Sequence, residues 1–389
     1  MLAFFPEAKW SGYIRVGFKN AVAAAKRLIV GSKKPPATCD SESKSGGDRY
    51  YKSYRVDQVR EYMEAFRRDG FVVIDNVLTE DELKLTEKEV WEYLVIKSEG
   101  KLKPQDPKTW GEENWPAEIC RNGGFMGRFP YLRRLRQGGD RLLMTRQPQA
   151  WRNRENKKVY SVFRNILETP KLWVSLDRYG VMRPTKVKLD GKASVVDVKE
   201  WQTKKDWLHW DLNPFHFATS AAGYAPDMSL SREEIAGSYG SRRVQGLITI
   251  SDGSVEVGGF HCVRGFQGER FFKWREDNIN GYGEEPGVKN RNFVEVPESD
   301  PMRNEVTRVP MRRGSLLIWD SQLPHGNFPN TCGTFRMVQY IKMIPVDDPR
   351  EFVPILASGD KKIQGCKWFP EGFEPSGLGK KLLGLERWD

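Results

Sequence analysis

The stretch Asp206-Trp207-Leu208-His209-Trp210-Asp211-Leu212 decides how this chain is read. On an extended strand, residues two apart project to the same face. The His209 imidazole and the Asp211 carboxylate can therefore point at one common atom, with Trp210 between them facing away. A third ligand for a shared metal ion has to come from an adjacent strand far along the chain. His325 is the candidate, in Leu323-Pro324-His325-Gly326-Asn327, just after the strand-like run 314–320. The chain has only four His, so two of the four fall into this pattern. His216 is an odd number of residues from His209, and His261 sits beside Cys262; neither is a ligand candidate.

Two imidazoles and one carboxylate with open positions form the facial ligand set of non-haem Fe(II) oxygenases. A lone His-x-Asp arises often by chance, and a lone His is more often a core residue. Arg336 adds weight. It lies 11 residues past His325, beyond the turn-like segment 328–333. That spacing predicts a hairpin returning Arg336 to the strand beside the one carrying His325. An inward arginine there can grip a dicarboxylate with both arms of its guanidinium. The natural dicarboxylate for such a site is 2-oxoglutarate, with its 2-oxo acid end on the metal.

Working outward, the helical spacing of Val59, Tyr62, Met63 and Phe66 ends at Gly70, and 71–74 reads as a buried strand. Thr79 with Glu82 three residues on is a capping box that opens a helix. Past residue 172 come short apolar runs at 172–176, 246–250, 258–263, 315–319 and 335–344, separated by Gly, Pro and Asn. Many short strands without β/α alternation predict a sandwich or small barrel, mostly β with flanking helices.

The chain resembles the phytanoyl-CoA dioxygenase superfamily of Fe(II)/2-oxoglutarate oxygenases. The resemblance runs from about 55 to 345 and rests on five stretches. They are Phe66-Arg67-Arg68-Asp69-Gly70-Phe71-Val72-Val73-Ile74, then His209-Trp210-Asp211-Leu212, then 258–267, then 314–320, and last His325-Gly326-Asn327 with Arg336. It implies a double-stranded β-helix (jelly-roll, cupin-like) core. It implies His209, Asp211 and His325 as catalytic iron ligands and Arg336 as partner of the distal 2-oxoglutarate carboxylate. Asn327 stands where the family often has a Ser that helps hold that carboxylate, and Tyr179 is a further co-substrate contact. Ascorbate is the expected reductant in vitro. The family's Pro-Gly-Ser-His turn reads Arg264-Gly265-Phe266-Gln267 here, and a Ser/Ala/Gly-rich insertion at 217–243 could serve as a lid. Halogenating relatives replace the ligand carboxylate with a small residue. Asp211 is intact, so hydroxylation of an unactivated C–H is the expected reaction.

Composition bounds the rest. The 389 residues carry 63 Lys+Arg against 52 Asp+Glu, for a net charge of +11. An apolar fraction of 39% with 12% aromatics is too high for a disordered chain. No run of about 18 apolar residues predicts a membrane span. The five Cys are scattered without a CxxC pair, which points to a reduced intracellular protein and away from a zinc knuckle. The charge is concentrated: residues 1–36 hold seven basic side chains and one acid, and 128–158 hold ten and two. The domain reading is a basic extension and flexible linker at 1–48, an oxygenase domain at 49–345, and an extension at 346–389 packed on the core. The leader is a solvated extension, a mitochondrial transit segment or a membrane-surface helix; a cytoplasmic location is expected, with mitochondria the alternative. The 128–158 block either covers a helical surface and pairs with acids elsewhere or serves an acidic, phosphate- or CoA-bearing small-molecule substrate. The competing readings are an oxygenase acting on nucleic acid or nucleotides, and a non-catalytic binding protein on the same fold.

Overall fold

The computed structural model describes residues 49–116, 125–126, 148–189, 194–205, 207–215, 244–289, 291, 293–346 and 369–389. The basic leader, His216, the 217–243 insertion and positions 128–147 of the basic block lie outside the described residues.

Helix α1 (Val59–Asp69) buries Tyr62, Met63 and Phe66, together with Asp69, which pairs with Arg68 and Arg264, and turns its other charged side chains to solvent. Gly70 ends it in the left-handed region (φ 75°), where its N–H donates to the Phe66 carbonyl and turns the chain into strand β1 (Phe71–Ile74). Helix α2 (Glu80–Lys97) starts at the capping box. The Glu82 N–H donates to Thr79 Oγ1, and the Thr79 N–H donates to the Glu82 carboxylate at 2.7 Å. Such a cap stabilises a helix by about 1 kcal/mol. After β2 (Phe125–Met126) come α3 (Pro148–Arg154) and α4 (Lys157–Ile166), the latter capped by Asn156.

The strands that follow are β3 (Leu172–Val174), β4 (Tyr179–Met182), β5 (Lys186–Val187), β6 (Val196–Asp197), β7 (His209–Trp210), β8 (Val244–Thr249) and β9 (Gly259–Val263). Helix α5 (Glu269–Asn278) intervenes. Then come β10 (Val294–Glu295), β11 (Val306–Arg308), β12 (Leu316–Asp320), β13 (His325–Phe328), β14 (Arg336–Ile341) and β15 (Met343–Pro345), and late in the chain α6 (Gly377–Leu382). Six strands form one antiparallel sheet in the order β1-β12-β8-β14-β4-β2, and five form another in the order β10-β7-β13-β9-β11. The non-sequential orders, with the chain passing from one sheet to the other, are the wiring of a double-stranded β-helix.

Side-chain alternation sorts the core into two layers. Phe71, Val73, Leu247, Leu317, Trp319 and Val338 point from the six-stranded sheet toward the other sheet, whose inward face carries Phe260 and Cys262. The intervening residues Val72, Ile74, Ile248, Leu316, Ile318, Met337 and Ile341 point outward and are covered by the helices through Tyr62, Phe66, Leu94, Val162 and Phe163. With both faces covered, β1 and β12 are buried at every position, which is why they read as unbroken apolar runs.

One sequence expectation is corrected here. Arg336 does not return to a strand beside His325. β13 lies in the five-stranded sheet, whereas β14 lies in the six-stranded sheet between β8 and β4. Residues 329–335 cross from one sheet to the other, so Arg336 approaches the interior from the opposing sheet.

The last described segment, 369–389, packs on the helical layer. Phe369 and Phe373 sit against Trp151, the Glu155 carboxylate accepts from the Ser376 N–H at 2.8 Å, and the Trp388 indole donates to the Leu172 carbonyl at 3.0 Å. Among the described residues no helix is long and apolar enough to cross a membrane.

Candidate metal centre

β7 and β13 are neighbours, with His325 directly opposite His209 in the register. Both imidazoles are buried (4% exposed each), with ring centroids 4.7 Å apart. Each ring is fixed by its own Nδ1, which lies 3.2 Å from the Trp207 carbonyl in His209 and 3.0 Å from the Leu323 carbonyl in His325. A carbonyl only accepts, so each Nδ1 carries the proton and each Nε2 presents a lone pair. Those two lone pairs face the Asp211 carboxylate, at 3.5 Å from Oδ1 for His209 and 3.6 Å from Oδ2 for His325. One ligand atom from each of the three residues lies within 4.8 Å of the others.

The electrostatics suit a cation. Burial lowers the pKa of His209, which keeps its ring neutral at pH 7. Desolvation alone would raise the Asp211 pKa. The two imidazoles beside it outweigh that effect, and the carboxyl is held well below the ordinary range. Two imidazoles and one ionised carboxylate converging on one point are the donor set a divalent metal requires.

Around the triad lies a small pocket of ≈ 70 Å³, lined by Trp207, Phe260, Trp319, Leu247, Asn327, Gln245, Tyr340, Arg178 and Lys342. Trp207 stacks on His209 at 4.5 Å, with Phe293 4.6 Å from the same ring on the other contact. Phe260 stacks on His325 at 5.8 Å. These rings make the surroundings of the triad apolar. A second, wider groove between α1 and α4 is lined by Arg60, Glu64, Arg67 and Arg164; it is open to solvent and lies on the helical side, away from the imidazoles.

Arg336 is 3% exposed, and neither terminal nitrogen of its guanidinium has a hydrogen-bond partner. Burial lowers its pKa, opposed by its interaction with Tyr340, which also lines the pocket. Asn327, two residues past His325 on the same face of β13, presents a buried Oδ1 that is likewise without a partner. A buried cation with two idle donors is costly unless something arrives to meet it, and a carboxylate is the group whose geometry fits. The residues present therefore fit both a divalent metal and a 2-oxo dicarboxylate.

Tyr179 is the site residue that does not join them. It pairs with Gln339 in the β4–β14 ladder, one face removed from Arg336, Val338 and Tyr340. Its ring belongs to the helix-facing core, and the charges that act on it are those of Glu89 and Arg154. Strand parity excludes it from the co-substrate pocket. His261 also points away from the triad, against Phe328 at 4.3 Å. Trp210 faces away, among Phe266, Phe271 and Trp274. The sequence reading passed over Gln245, Tyr340 and Phe293. For Gln245 a signal existed: it is a polar residue at an inward strand position, two before Leu247.

Three of the described basic residues of the block serve the fold. The Arg152 guanidinium pairs with Glu155, Arg154 donates to three backbone carbonyls, and Lys158 donates to the Asn76 carbonyl.

The family model for phytanoyl-CoA dioxygenase (PhyH) matches residues 66–338, well over half of the chain. A Dictyostelium discoideum protein provisionally named a phytanoyl-CoA dioxygenase is 25% identical over 294 residues, 72% of this chain and 74% of that one. Among solved structures, GlcNAc Inducible Gene 2 (GIG2, DUF1479) from Candida albicans has a TM-score of 0.54 at 14% identity, over 96% of this chain and 87% of its own, a likeness of fold. EctD from S. alaskensis, solved with 2-oxoglutarate and 5-hydroxyectoine, has a TM-score of 0.42 at 12% identity, over 81% of this chain and 83% of its own. With a fold, a donor set and a family match that agree, the chain belongs to the phytanoyl-CoA dioxygenase family and is a 2-oxoglutarate-dependent dioxygenase that uses iron.

Proposed function

We propose that His209, Asp211 and His325 hold the Fe(II), that Arg336 and Asn327 bind the distal carboxylate of 2-oxoglutarate, and that the enzyme hydroxylates an unactivated C–H of a small molecule carrying an anionic group. The observation that carries this reading is the pairing of the triad with a buried Arg336 whose terminal donors are idle.

Each residue has a physical task. Trp207 and Leu323 carbonyls fix the imidazole tautomers, so both Nε2 atoms are available without a proton to displace. Asp211 contributes one negative charge, which leaves a divalent ion with net positive charge for an anionic 2-oxo acid to meet. Arg336 and Asn327 set the orientation of that acid by its far end. Phe260, Trp319 and Trp207 exclude water and offer an apolar wall to the substrate body. Arg178 and Lys342 line the mouth beside Asp177, where a phosphate, carboxylate or thioester-linked nucleotide would find positive charge. When bound, iron and 2-oxoglutarate supply the oxidising power, with O₂ consumed to give succinate, CO₂ and the hydroxylated product.

The test is succinate formation by the full-length protein with Fe(II), ascorbate and 2-oxoglutarate, across a panel of aliphatic carboxylates, phosphate esters and CoA thioesters. Substrate-dependent succinate that disappears in the His209→Ala/Asp211→Ala protein is the expected result. A wild type that binds no Fe(II), or an Arg336→Ala protein with full 2-oxoglutarate affinity, overturns the assignment of these residues.

A further inference from the structure

We propose that Gln245 is the residue that orients the Asp211 carboxylate for metal binding, an inference that rests on the triad reading above. Both imidazoles are held from behind, His209 through Trp207 and His325 through Leu323. Asp211 lies one residue beyond the two-residue strand β7, so no ladder bond of that strand fixes it. What reaches it is the Gln245 amide, which donates from Nε2 to Asp211 Oδ2 at 3.0 Å.

The direction of this bond follows from chemistry. An ionised carboxylate only accepts, so the NH₂ end of Gln245 has to face Asp211. Gln245 Oε1 is then turned away and is buried without a hydrogen-bond partner. The amide accepts that cost while making its bond to the carboxylate, which is the pattern of a residue held for positioning and not for stability. Its placement agrees. β8 alternation puts Gln245 on the inward face with Leu247, opposite Trp319 in the β8–β12 register. Asp211 comes from the five-stranded sheet. The Gln245–Asp211 bond therefore spans the sandwich and fixes the carboxylate relative to both sheets.

A neutral donor suits the task. It occupies lone-pair capacity on Oδ2 without competing with the cation for the charge, as a lysine would. Outer partners of ligating carboxylates and imidazoles commonly account for 10- to 100-fold in metal affinity.

The experiment uses full-length protein and Co(II), whose d–d absorption reports coordination geometry. Gln245→Met keeps the side-chain length and removes the donor. Gln245→Asn keeps the amide and retracts it by one methylene, out of reach of Asp211. Both are expected to bind Co(II) about 10- to 100-fold more weakly than wild type, with an altered d–d spectrum and an unchanged metal-free melting temperature. If Gln245→Met does not fold, Gln245→Asn carries the test alone. Either variant binding Co(II) within twofold of wild type, with the wild-type spectrum, overturns the role of Gln245 and leaves the triad standing. A wild type that binds no Co(II) overturns both.

Discussion

The two faces of the six-stranded sheet each bury an arginine, and the two are treated in opposite ways. On the helix-facing side, Arg154 is 2% exposed and donates to the carbonyls of Ser175 at 3.2 Å, Ala150 at 2.7 Å and Asp177 at 2.6 Å. Around it the polar groups form a closed chain. Gln339 donates to the Ala150 carbonyl, Asn153 donates to Gln339 and to Thr86, and the Glu89 carboxylate accepts the N–H groups of Gln149 and Ala150 at the start of α3. On the sandwich-facing side, Arg336 is as deeply buried, yet its terminal nitrogens make no bond, and Asn327, Gln245 and Trp319 each leave a polar atom without a partner. A buried polar group that is satisfied belongs to the fold; a cluster of unsatisfied ones marks where a ligand completes the bonding.

Removing each arginine is the strongest way to break this comparison. Arg154→Met leaves three carbonyls without their donor and is expected to cost about 3–5 kcal/mol in denaturant unfolding. Its affinity for 2-oxoglutarate should survive wherever the protein folds. Arg336→Met is expected to do the reverse. It removes an uncompensated buried cation, so stability should hold or rise, while 2-oxoglutarate affinity falls by about 100-fold or more. Added 2-oxoglutarate with metal should raise the melting temperature of wild type and not of Arg336→Met. Matching losses of stability in the two variants would erase the distinction.

Glu89 sharpens the helix-facing side through pH. Burial raises its pKa from 4.5 to about 8, against the opposing backbone N–H bonds from Gln149 and Ala150. A folded-state value above the unfolded one means the folded state holds the extra proton between the two. The resulting stabilisation is fully present below pH 4.5 and is lost as pH rises through 8. Between pH 5 and 8.5 wild type is expected to lose up to a few kcal/mol relative to Glu89→Gln, which has no proton to release, at about 1.4 kcal/mol per unit of pKa. Parallel stability–pH curves for the two proteins would contradict this.

Much of this contrast was written in the sequence, and the missing part has a definite cause. The convergence of His209, Asp211 and His325 was legible because a metal demands those residue types and strand parity says which can share a face. β1, β12 and the α2 cap were legible because apolar runs and Thr79–Glu82 act locally. What could not be read is which sheet a strand joins. The route of 329–335 across the sandwich is a long-range choice, so Arg336 was expected beside His325 and arrives from the opposing sheet. Tyr179 was misplaced for the same reason: its face follows from pairing with Gln339, and nothing near residue 179 encodes that register. The bond from Gln245 to Asp211 joins residues 34 apart on different sheets and has no local signature beyond an inward polar residue.

Gly259 offers a smaller perturbation on the sandwich-facing side. Its φ is +122°, and a Cβ there would sit 2.7 Å from Arg336 Nε. Gly259→Ala is expected to displace the guanidinium and to weaken 2-oxoglutarate binding by about 10-fold, about 1.4 kcal/mol, with Co(II) affinity unchanged. Loss of both affinities together would mean that the strand, and not Arg336 alone, had moved.

Tyr179 is the residue on which the comparison turns most finely, because its hydroxyl is buried without a partner although it lies on the helix-facing side. Unlike Arg336, it does not share a sheet face with Tyr340, which lines the pocket of the triad. Burial, and after it the nearby Glu89, set its pKa well above the ordinary value against the opposing charge of Arg154. If an idle polar atom marked a ligand site wherever it occurred, Tyr179→Phe would weaken 2-oxoglutarate binding. Parity predicts otherwise. Tyr179→Phe removes a hydroxyl that makes no bond, so stability should be unchanged or higher by up to about 1 kcal/mol, with the KM for 2-oxoglutarate the same as wild type. A KM raised tenfold would return Tyr179 to the co-substrate site and would require β4 to present its other face. An unchanged KM makes position relative to the pocket, together with lack of a partner, the criterion that separates Arg336 from the rest of the buried polar groups.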